Sequence, residues 1–308
     1  MLYYDQYHVP ETLDEAFDLI HTNGGNYKVL AGATDLLPWA REGRGGDVNY
    51  ESVIDISKIN DLSKWQLQGN RINLGANVTI SQLLNNPFLR KHIPVMAKSA
   101  VWFADDQIRE QATLGGNLVN ASPAADATPP MLAMNAELTL ERKQKGKIIQ
   151  RKLPLDEFLT GPGKTRLEAG ELVTRVECDS MLGYGSAFEK VGPRRSLVLS
   201  TVCLAALVSL SDDGQEFEDV RLALGGVGPV PIRLKESEAC LISQPIDSDL
   251  IDKSAVLAVK HVQSRTRQEY RREVVYNFVK RGILGACKDL NTTFADIDTD
   301  MKHRGNYG

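Results

Sequence analysis

The chain has 308 residues, with 36 Lys plus Arg against 40 Asp plus Glu and a formal net charge of −4. With no basic surplus, nucleic-acid binding as the main role is disfavoured, because sequence-independent affinity for a phosphate backbone comes from Lys and Arg displacing counterions. The length fits about two domains of roughly 150 residues, and a composition 42% hydrophobic and 25% charged excludes disorder as the main theme.

Taken in chain order, Thr12-Leu-Asp-Glu15 has a capping-box pattern. Leu13, Ala16, Phe17 and Ile20 then recur at helical spacing until Asn23-Gly24-Gly25 stops the turn, which predicts a helix of about ten residues. Lys28 to Ala31 reads as a short buried strand running into Gly32 and a helical turn from Thr34, and Val53 to Ile56 as another strand. Trp65 to Gln68 and Arg71 to Leu74 flank Gly69-Asn70 as a hairpin. Helices are predicted over Thr79 to Leu84 and Arg90 to Phe103, and Ile108 to Leu114 is read as a strand reaching a second glycine pair, Gly115-Gly116. Pro129-Pro130 can open a helix, since a missing N–H costs little in the first turn. Glu137 to Glu141 and Lys147 to Lys152 form a second hairpin.

From about residue 171 the strands lengthen: Leu172 to Cys178, Ser186 to Val191, Ser200 to Leu210 and Val220 to Leu224. Three helices follow, the last of them, Arg271 to Leu284, with Val274, Val275, Phe278, Val279 and Ile283 on one face. Ser180 to Gly185 supplies a flexible joint near the expected boundary at 175 to 180. Strands and helices mixed without regular βαβ alternation predict an α+β fold in both halves. The domains are expected at 1–177, in two subdomains of roughly 1–57 and 58–177, and at 178–290, with a loose tail over 291–308.

The longest strictly apolar run, Val202 to Val208, falls far short of the ~20 residues of a membrane-spanning helix. The first residues, Met1 to His8, lack the basic and apolar regions of an export signal, so a cytoplasmic location is expected. Cys178, Cys203, Cys240 and Cys287 include no C-x-x-C, and the histidines at 8, 21, 92, 261 and 303 have no ligand spacing. No metal is therefore expected on this chain.

Several motifs fail. G-x-G-x-x-G is absent, because Gly161-Pro-Gly163 is followed by Lys-Thr-Arg and Gly226-Val-Gly228 by Pro-Val-Pro. Gly161-Pro-Gly-Lys164-Thr165 lacks the first Walker A glycine, Phe158 standing in its place. No G-x-S-x-G occurs, so hydrolase chemistry has no visible machinery. Two segments survive: Val29-Leu-Ala-Gly32-Ala33-Thr34-Asp35-Leu36-Leu37 and Ala112-Thr113-Leu-Gly115-Gly116-Asn117-Leu-Val119. Each sends a strand into a turn of small residues, which suits either a plain structural turn or a cradle of backbone N–H donors around a diphosphate. A third segment, Ala121 to Ala127, brings small residues to Asp126, which suits either a helix N-cap or a hydrogen-bond acceptor beside a flat ligand.

Gly32-Ala33-Thr34-Asp35-Leu36-Leu37, Gln107-Ile-Arg109, Ala112-Thr-Leu-Gly-Gly-Asn117 and Ser122-Pro-Ala-Ala-Asp126-Ala127 together resemble the FAD-binding subunit of molybdenum hydroxylases. That family includes the flavin subunits of xanthine and carbon monoxide dehydrogenases. Gly170-Glu-Leu-Val-Thr174 and Ser186 through Lys190 to Arg194-Arg195 extend the resemblance over nearly the whole chain. It implies a two-lobed FAD-binding domain of the vanillyl-alcohol-oxidase (PCMH) type, followed by a domain of antiparallel sheet plus three helices.

By that resemblance, Val29, Leu30, Ala31, Gly32, Ala33, Thr34, Asp35 and Leu36 wrap the diphosphate from one side. Ile108, Ala112, Thr113, Gly115, Gly116, Asn117 and Val119 approach from the other, while Ala125 and Asp126 face the flavin or nucleotide. Phe103-Ala104 takes the place of an aromatic against the cofactor, Val173 matches a further contact, and Lys190 matches a lysine near the flavin that would favour its anionic reduced form. The second turn residue, usually glycine in this family, is Ala33, whose methyl fits if φ is negative and obstructs if φ is positive. The four-cysteine insertion of the hydroxybenzoyl-coenzyme-A reductase branch is missing, which excludes that branch.

The resemblance implies an electron relay with no catalytic side chain of its own, Lys190 serving as a tuning group, because flavin does the redox chemistry. Electrons would come from a small [2Fe-2S] subunit next to a large molybdopterin subunit, in a dimer of heterotrimers, and leave to a soluble acceptor such as NAD. Phe103 and Phe158 to Thr165 look like xanthine-dehydrogenase members and point to a purine, with an aldehyde as the alternative substrate. Two other classes fit less well: a self-contained flavin oxidase, and a non-catalytic nucleotide-binding protein.

Overall fold

The computed structural model describes residues 1–43, 48–194 and 197–290. The chain opens with β1 (Leu2–His8), α1 (Leu13–Thr22), β2 (Tyr27–Leu30), α2 (Leu36–Arg41) and β3 (Val48–Asp55). β1 and β2 both pair parallel with β3, which gives the order β1-β3-β2. α1 starts at the capping pattern: Glu15 N–H donates to Thr12 Oγ1 at 3.2 Å, and the Glu15 carboxylate accepts from the Glu11 amide at 2.9 Å. Its apolar face buries Ala16, Phe17 and Ile20 in one cluster with Ile54, Ile56, Leu62 and Leu172.

The hairpin of β4 (Trp65–Gln68) and β5 (Arg71–Gly75) leads to α3 (Ile80–Asn85), which has a complete capping box between Thr79 and Gln82. The single helix expected over 90 to 103 is two, α4 (Pro87–His92) and α5 (Pro94–Val101). Pro94 has no N–H for a continuing ladder and its ring displaces the preceding turn, so it opens a new helix. α6 (Asp106–Gln111) stands where a strand was expected before the second glycine pair. Asp105 caps it by accepting from the Ile108 N–H at 2.8 Å. α7 (Leu114–Asn120) and α8 (Thr128–Ala133) follow, the latter with its prolines in the first turn.

β6 (Glu137–Gln144) and β7 (Lys147–Pro154) turn on Lys145-Gly146, both in the left-handed region that suits the twist of a tight hairpin. α9 (Leu155–Phe158), β8 (Leu159–Gly161) and β9 (Lys164–Thr165) lead to β10 (Leu172–Asp179). β10 returns into the earlier sheet, between β5 and β6, in the all-antiparallel order β4-β5-β10-β6-β7. The three-stranded and five-stranded sheets form two lobes of the first half of the chain.

The second sheet system is antiparallel: β11 (Gly185–Val191), β12 (Val202–Leu210), β13 (Phe217–Gly225) and β14 (Ile232–Arg233). α10 (Lys235–Ala239), α11 (Ser248–Val259) and α12 (Gln268–Leu290) cover one face, and α12 runs beyond the expected Arg271 to Leu284 at both ends. The apolar run from Val202 to Val208 is explained by burial of β12 on both faces. Val202, Leu204, Ala206 and Val208 join Val275, Val279 and Ile283 of α12, whereas Cys203, Ala205 and Leu207 join the core of the first domain. That shared core holds the first domain against the second. Arg195 and the tail over 291–308 lie outside the described residues. Among the described residues no helix is long and apolar enough to cross a membrane.

Candidate cofactor site

The loop after β2 and the loop after α6 meet. A Cβ on Gly32 would lie 1.8 Å from the Gln111 carbonyl oxygen, so the two backbones touch only because Gly32 has none. Asn120 Nδ2 donates to Asp35 Oδ2 at 3.1 Å and ties the same two segments again. Leu30 is buried, Val29 and Ala31 pack on the core of the first lobe, and Gly32, Ala33 and Thr34 are half-buried at the junction. Ala33 has φ 53°, the sign for which its methyl was expected to obstruct. Among the described residues no hydrogen bond engages the backbone N–H groups of Thr34, Asp35 or Leu36. Withdrawal from water raises the pKa of the Asp35 carboxyl.

The second turn is built differently. Its amide donors are already spent within the protein: Leu114 N–H on Val78 O at 2.9 Å, Gly115 N–H on Ala76 O at 2.8 Å, and Asn117 N–H on Thr113 O at 3.0 Å. Gly116 N–H goes to the Thr113 hydroxyl at 3.1 Å. Of the two readings its sequence allows, a structural turn or a cradle of backbone donors, the second turn's amides therefore follow the former. The first turn offers amides, whereas the second offers shape and one side chain. Gly115 is buried, and a Cβ there would lie 2.6 Å from Ala76 Cβ. Gly116 is exposed, and its Cβ would meet only Thr113 Oγ1, at 2.8 Å. Asn117 Oδ1 is buried with no hydrogen-bond partner, an arrangement that costs about 1–3 kcal/mol unless a donor arrives from outside the chain. Ala112 and Thr113 are buried, and Ile108 and Val119 pack half-buried on the central core.

The third wall joins the two domains. Arg109 Nη1 donates to the carbonyls of Val101 and Phe103 at 3.2 and 2.9 Å, which fixes the end of α5 and places half-buried Phe103 beside Ala104 at φ 41°. Lys190, at the end of β11, places its ammonium 2.6 Å from Asp126 Oδ2 and 3.1 Å from the Trp102 carbonyl, with its side chain 2% exposed. Ser200 Oγ donates to Asp126 Oδ1 at 2.6 Å, and Ser99 Oγ to the Asp126 backbone carbonyl at 2.7 Å. Burial raises the pKa of the Asp126 carboxyl, against the opposing pull of Lys190 and Ser200. Asp126 therefore turns both oxygens toward its own protein. Ala125 is buried beside it. Val173, on β10 opposite Leu140 of β6, has its side chain in the central core.

Among the described residues no group of three His, Cys, Asp or Glu is arranged to hold a metal ion. The site instead combines unengaged amides, a glycine-lined surface, an unpartnered amide oxygen and a buried cation, which fits a dinucleotide with a diphosphate centre and a flat, electron-accepting head. Ser99, Asn120, Ser200 and the Trp102 carbonyl escaped sequence reasoning, because each acts through a partner distant in the chain. Arg109 alone lay inside a recognisable motif.

The fold and this cradle define a two-domain flavoprotein. Residues 3–178 match the model of the FAD binding domain in molybdopterin dehydrogenase, and residues 187–286 that of the CO dehydrogenase flavoprotein C-terminal domain. The chain belongs to this family of FAD-binding subunits of molybdenum-dependent dehydrogenases, which are oxidoreductases. It is 30% identical to the glyceraldehyde dehydrogenase medium chain of Sulfolobus acidocaldarius, covering 86% of this chain and 92% of the relative. It is also 30% identical to the nicotinate dehydrogenase FAD-subunit of Eubacterium barkeri, covering 95% of each. Among solved structures, a chain of carbon monoxide dehydrogenase from Hydrogenophaga pseudoflava superposes with a TM-score of 0.83 at 26% identity, covering 92% of this chain and 97% of that one.

Proposed function

We propose that this chain is the electron-relay subunit of a cytoplasmic molybdenum hydroxylase complex. The observation that carries this reading is the meeting of Gly32 with Gln111 beside the unpartnered Asn117 oxygen, with buried Lys190 on the wall between the domains. Thr34, Asp35 and Leu36 would hold the diphosphate through their amides, and Asn117 Oδ1 would accept from an N–H or O–H donor of the dinucleotide. Gly116 would let the cofactor approach, and Phe103-Ala104 and Lys190 would border the flavin. Bound FAD would supply the capacity to accept electrons and pass them on as a pair. The residues of this chain bind and orient it, and the buried lysine sets part of its electrostatic surroundings.

The partners are a small [2Fe-2S] subunit and a large molybdopterin subunit, in a dimer of heterotrimers. Relatives called medium chains or subunits of dehydrogenase complexes support that reading. A purine is the proposed substrate of the assembled enzyme, supported by 28% identity to a putative xanthine dehydrogenase FAD-binding subunit of Escherichia coli, and the proposed acceptor is NAD, with oxygen, a ferredoxin or a quinone as the alternatives. The test is purification of the full chain with and without co-expression of the neighbouring coding regions, followed by the visible spectrum and a subunit count. A yellow chain holding one FAD and recovered with both partners is expected. A colourless chain that FAD does not bind overturns the reading.

A further inference from the structure

Lys190 is the penultimate residue of β11 and Ser200 stands two residues before β12, so they form the two feet of one connection, and both feet rest on a single carboxylate. Each oxygen of Asp126 accepts one of them at 2.6 Å. Thr201 N–H closes the base of the connection on Val191 O at 2.7 Å. Asp126 and Ser200 are buried, and so is the Lys190 side chain. An ammonium carries three N–H donors, and the Asp126 carboxylate and the Trp102 carbonyl take two. A buried carboxylate must be hydrogen-bonded to stay charged. The Ser200 hydroxyl is the one neutral donor to the Asp126 carboxylate among the described residues, and it fixes which oxygen is left for Lys190.

We propose that Ser200 and Asp126 are positioning residues that set the charge Lys190 presents to the flavin. The inference rests on the FAD reading above. With Asp126 ionised, the lysine and carboxylate form a neutral pair, which acts on a nearby ring as a dipole rather than as a full positive charge. Asp126 thus opposes the stabilisation that Lys190 alone would give an anionic reduced flavin. Removing the carboxylate charge uncovers the cation, and removing the cation uncovers the carboxylate. The two changes move flavin reduction in opposite directions, which a merely structural ion pair would not do.

The test measures the flavin reduction potential of the full chain loaded with FAD, for the natural sequence and for Lys190→Met, Asp126→Asn, Ser200→Ala and Ser200→Thr. Asp126→Asn should favour reduction by about tenfold in the equilibrium, or ~30 mV for a two-electron couple. Lys190→Met should disfavour it by a similar factor. Ser200→Ala should shift in the Asp126→Asn direction but less, and Ser200→Thr, which keeps the hydroxyl, should return to the natural value. If Asp126→Asn does not fold, the two Ser200 variants carry the test. FAD retained with unchanged potentials, or Lys190→Met and Asp126→Asn shifting the same way, overturns this inference alone. A natural chain that retains no FAD overturns it together with the functional reading.

Discussion

Asn120, the last residue of α7, donates its side-chain amide to the Asp35 carboxylate 3.1 Å away, so the helix after the second turn restrains the first. Burial raises the Asp35 pKa from its ordinary 3.8. The folded chain therefore binds a proton at Asp35 more readily than the unfolded chain does, and this residue's contribution falls as pH rises through that window. Asp35→Asn keeps an oxygen for Asn120 and removes the charge. It should be the more stable protein at pH 7, with the difference closing as pH falls toward 3.8. Urea unfolding at a series of pH values measures this, and a pH-independent difference would assign the effect elsewhere.

Ala33 at φ 53° holds a left-handed conformation that costs a residue with a Cβ about 1–2 kcal/mol. Glycine takes that conformation without strain but is freer in the unfolded chain, which offsets part of the gain. Ala33→Gly should stabilise the protein by about 0.5–1 kcal/mol and leave FAD affinity equal or better. Denaturant midpoints with a flavin titration check both, and a loss of stability would show that the strain is relieved elsewhere in the loop.

Adjacent glycines should behave differently. Gly115→Ala forces a methyl against the Ala76 side chain and backbone and should cost about 1–3 kcal/mol through overpacking. Gly116→Val meets only the Thr113 hydroxyl on the protein side, so the melting temperature should fall little while bound flavin is lost. Flavin-to-protein ratio and melting temperature, measured together, separate the two. Normal flavin content in Gly116→Val would remove that residue from the cofactor wall.

Asp179, at the end of β10, accepts from Arg71 at 2.7 Å, Asn135 at 2.8 Å and Arg221 at 2.7 Å, so it bridges the five-stranded sheet to β13 of the second domain. Arg221 is further held by Asp219 at 2.7 Å. Asp179→Ala should destabilise by about 1–3 kcal/mol, the cost of leaving half-buried donors unmatched. Asp179→Asn should cost less, since its one oxygen still accepts from Arg221 and Asn135 and only the bond from Arg71 is lost. Chemical denaturation ranks the two, and equal stability of the natural chain and Asp179→Ala would show that water replaces the bridge fully.

Local signals were legible in the sequence. Thr12 and Thr79 start helices where their capping patterns say, and Gly69-Asn70 and Lys145-Gly146 turn hairpins, because cap and turn chemistry act within four residues. The segment from Ile108 misled because α6 is a short helix fixed by the Asp105 cap and the Arg109 clamp rather than by apolar periodicity. At the site, the glycine motifs marked two loops that meet in the fold, but not how the second spends its amides on Ala76 and Val78. Asp126, Lys190 and Ser200 come from three separate stretches of chain, and no local rule joins them.

β10 completes the sheet between two strands made well before it, and its Asp179 bonds to Arg71, 108 positions earlier. At about 5–20 residues per second, a ribosome needs roughly 5 to 20 s to travel that distance. Throughout that interval β5 carries an open edge, and β6 carries one from its own synthesis until β10 arrives, each ready to capture stray strands from other molecules. Biogenesis of this subunit is therefore most exposed to aggregation midway through translation, before any cofactor could be inserted.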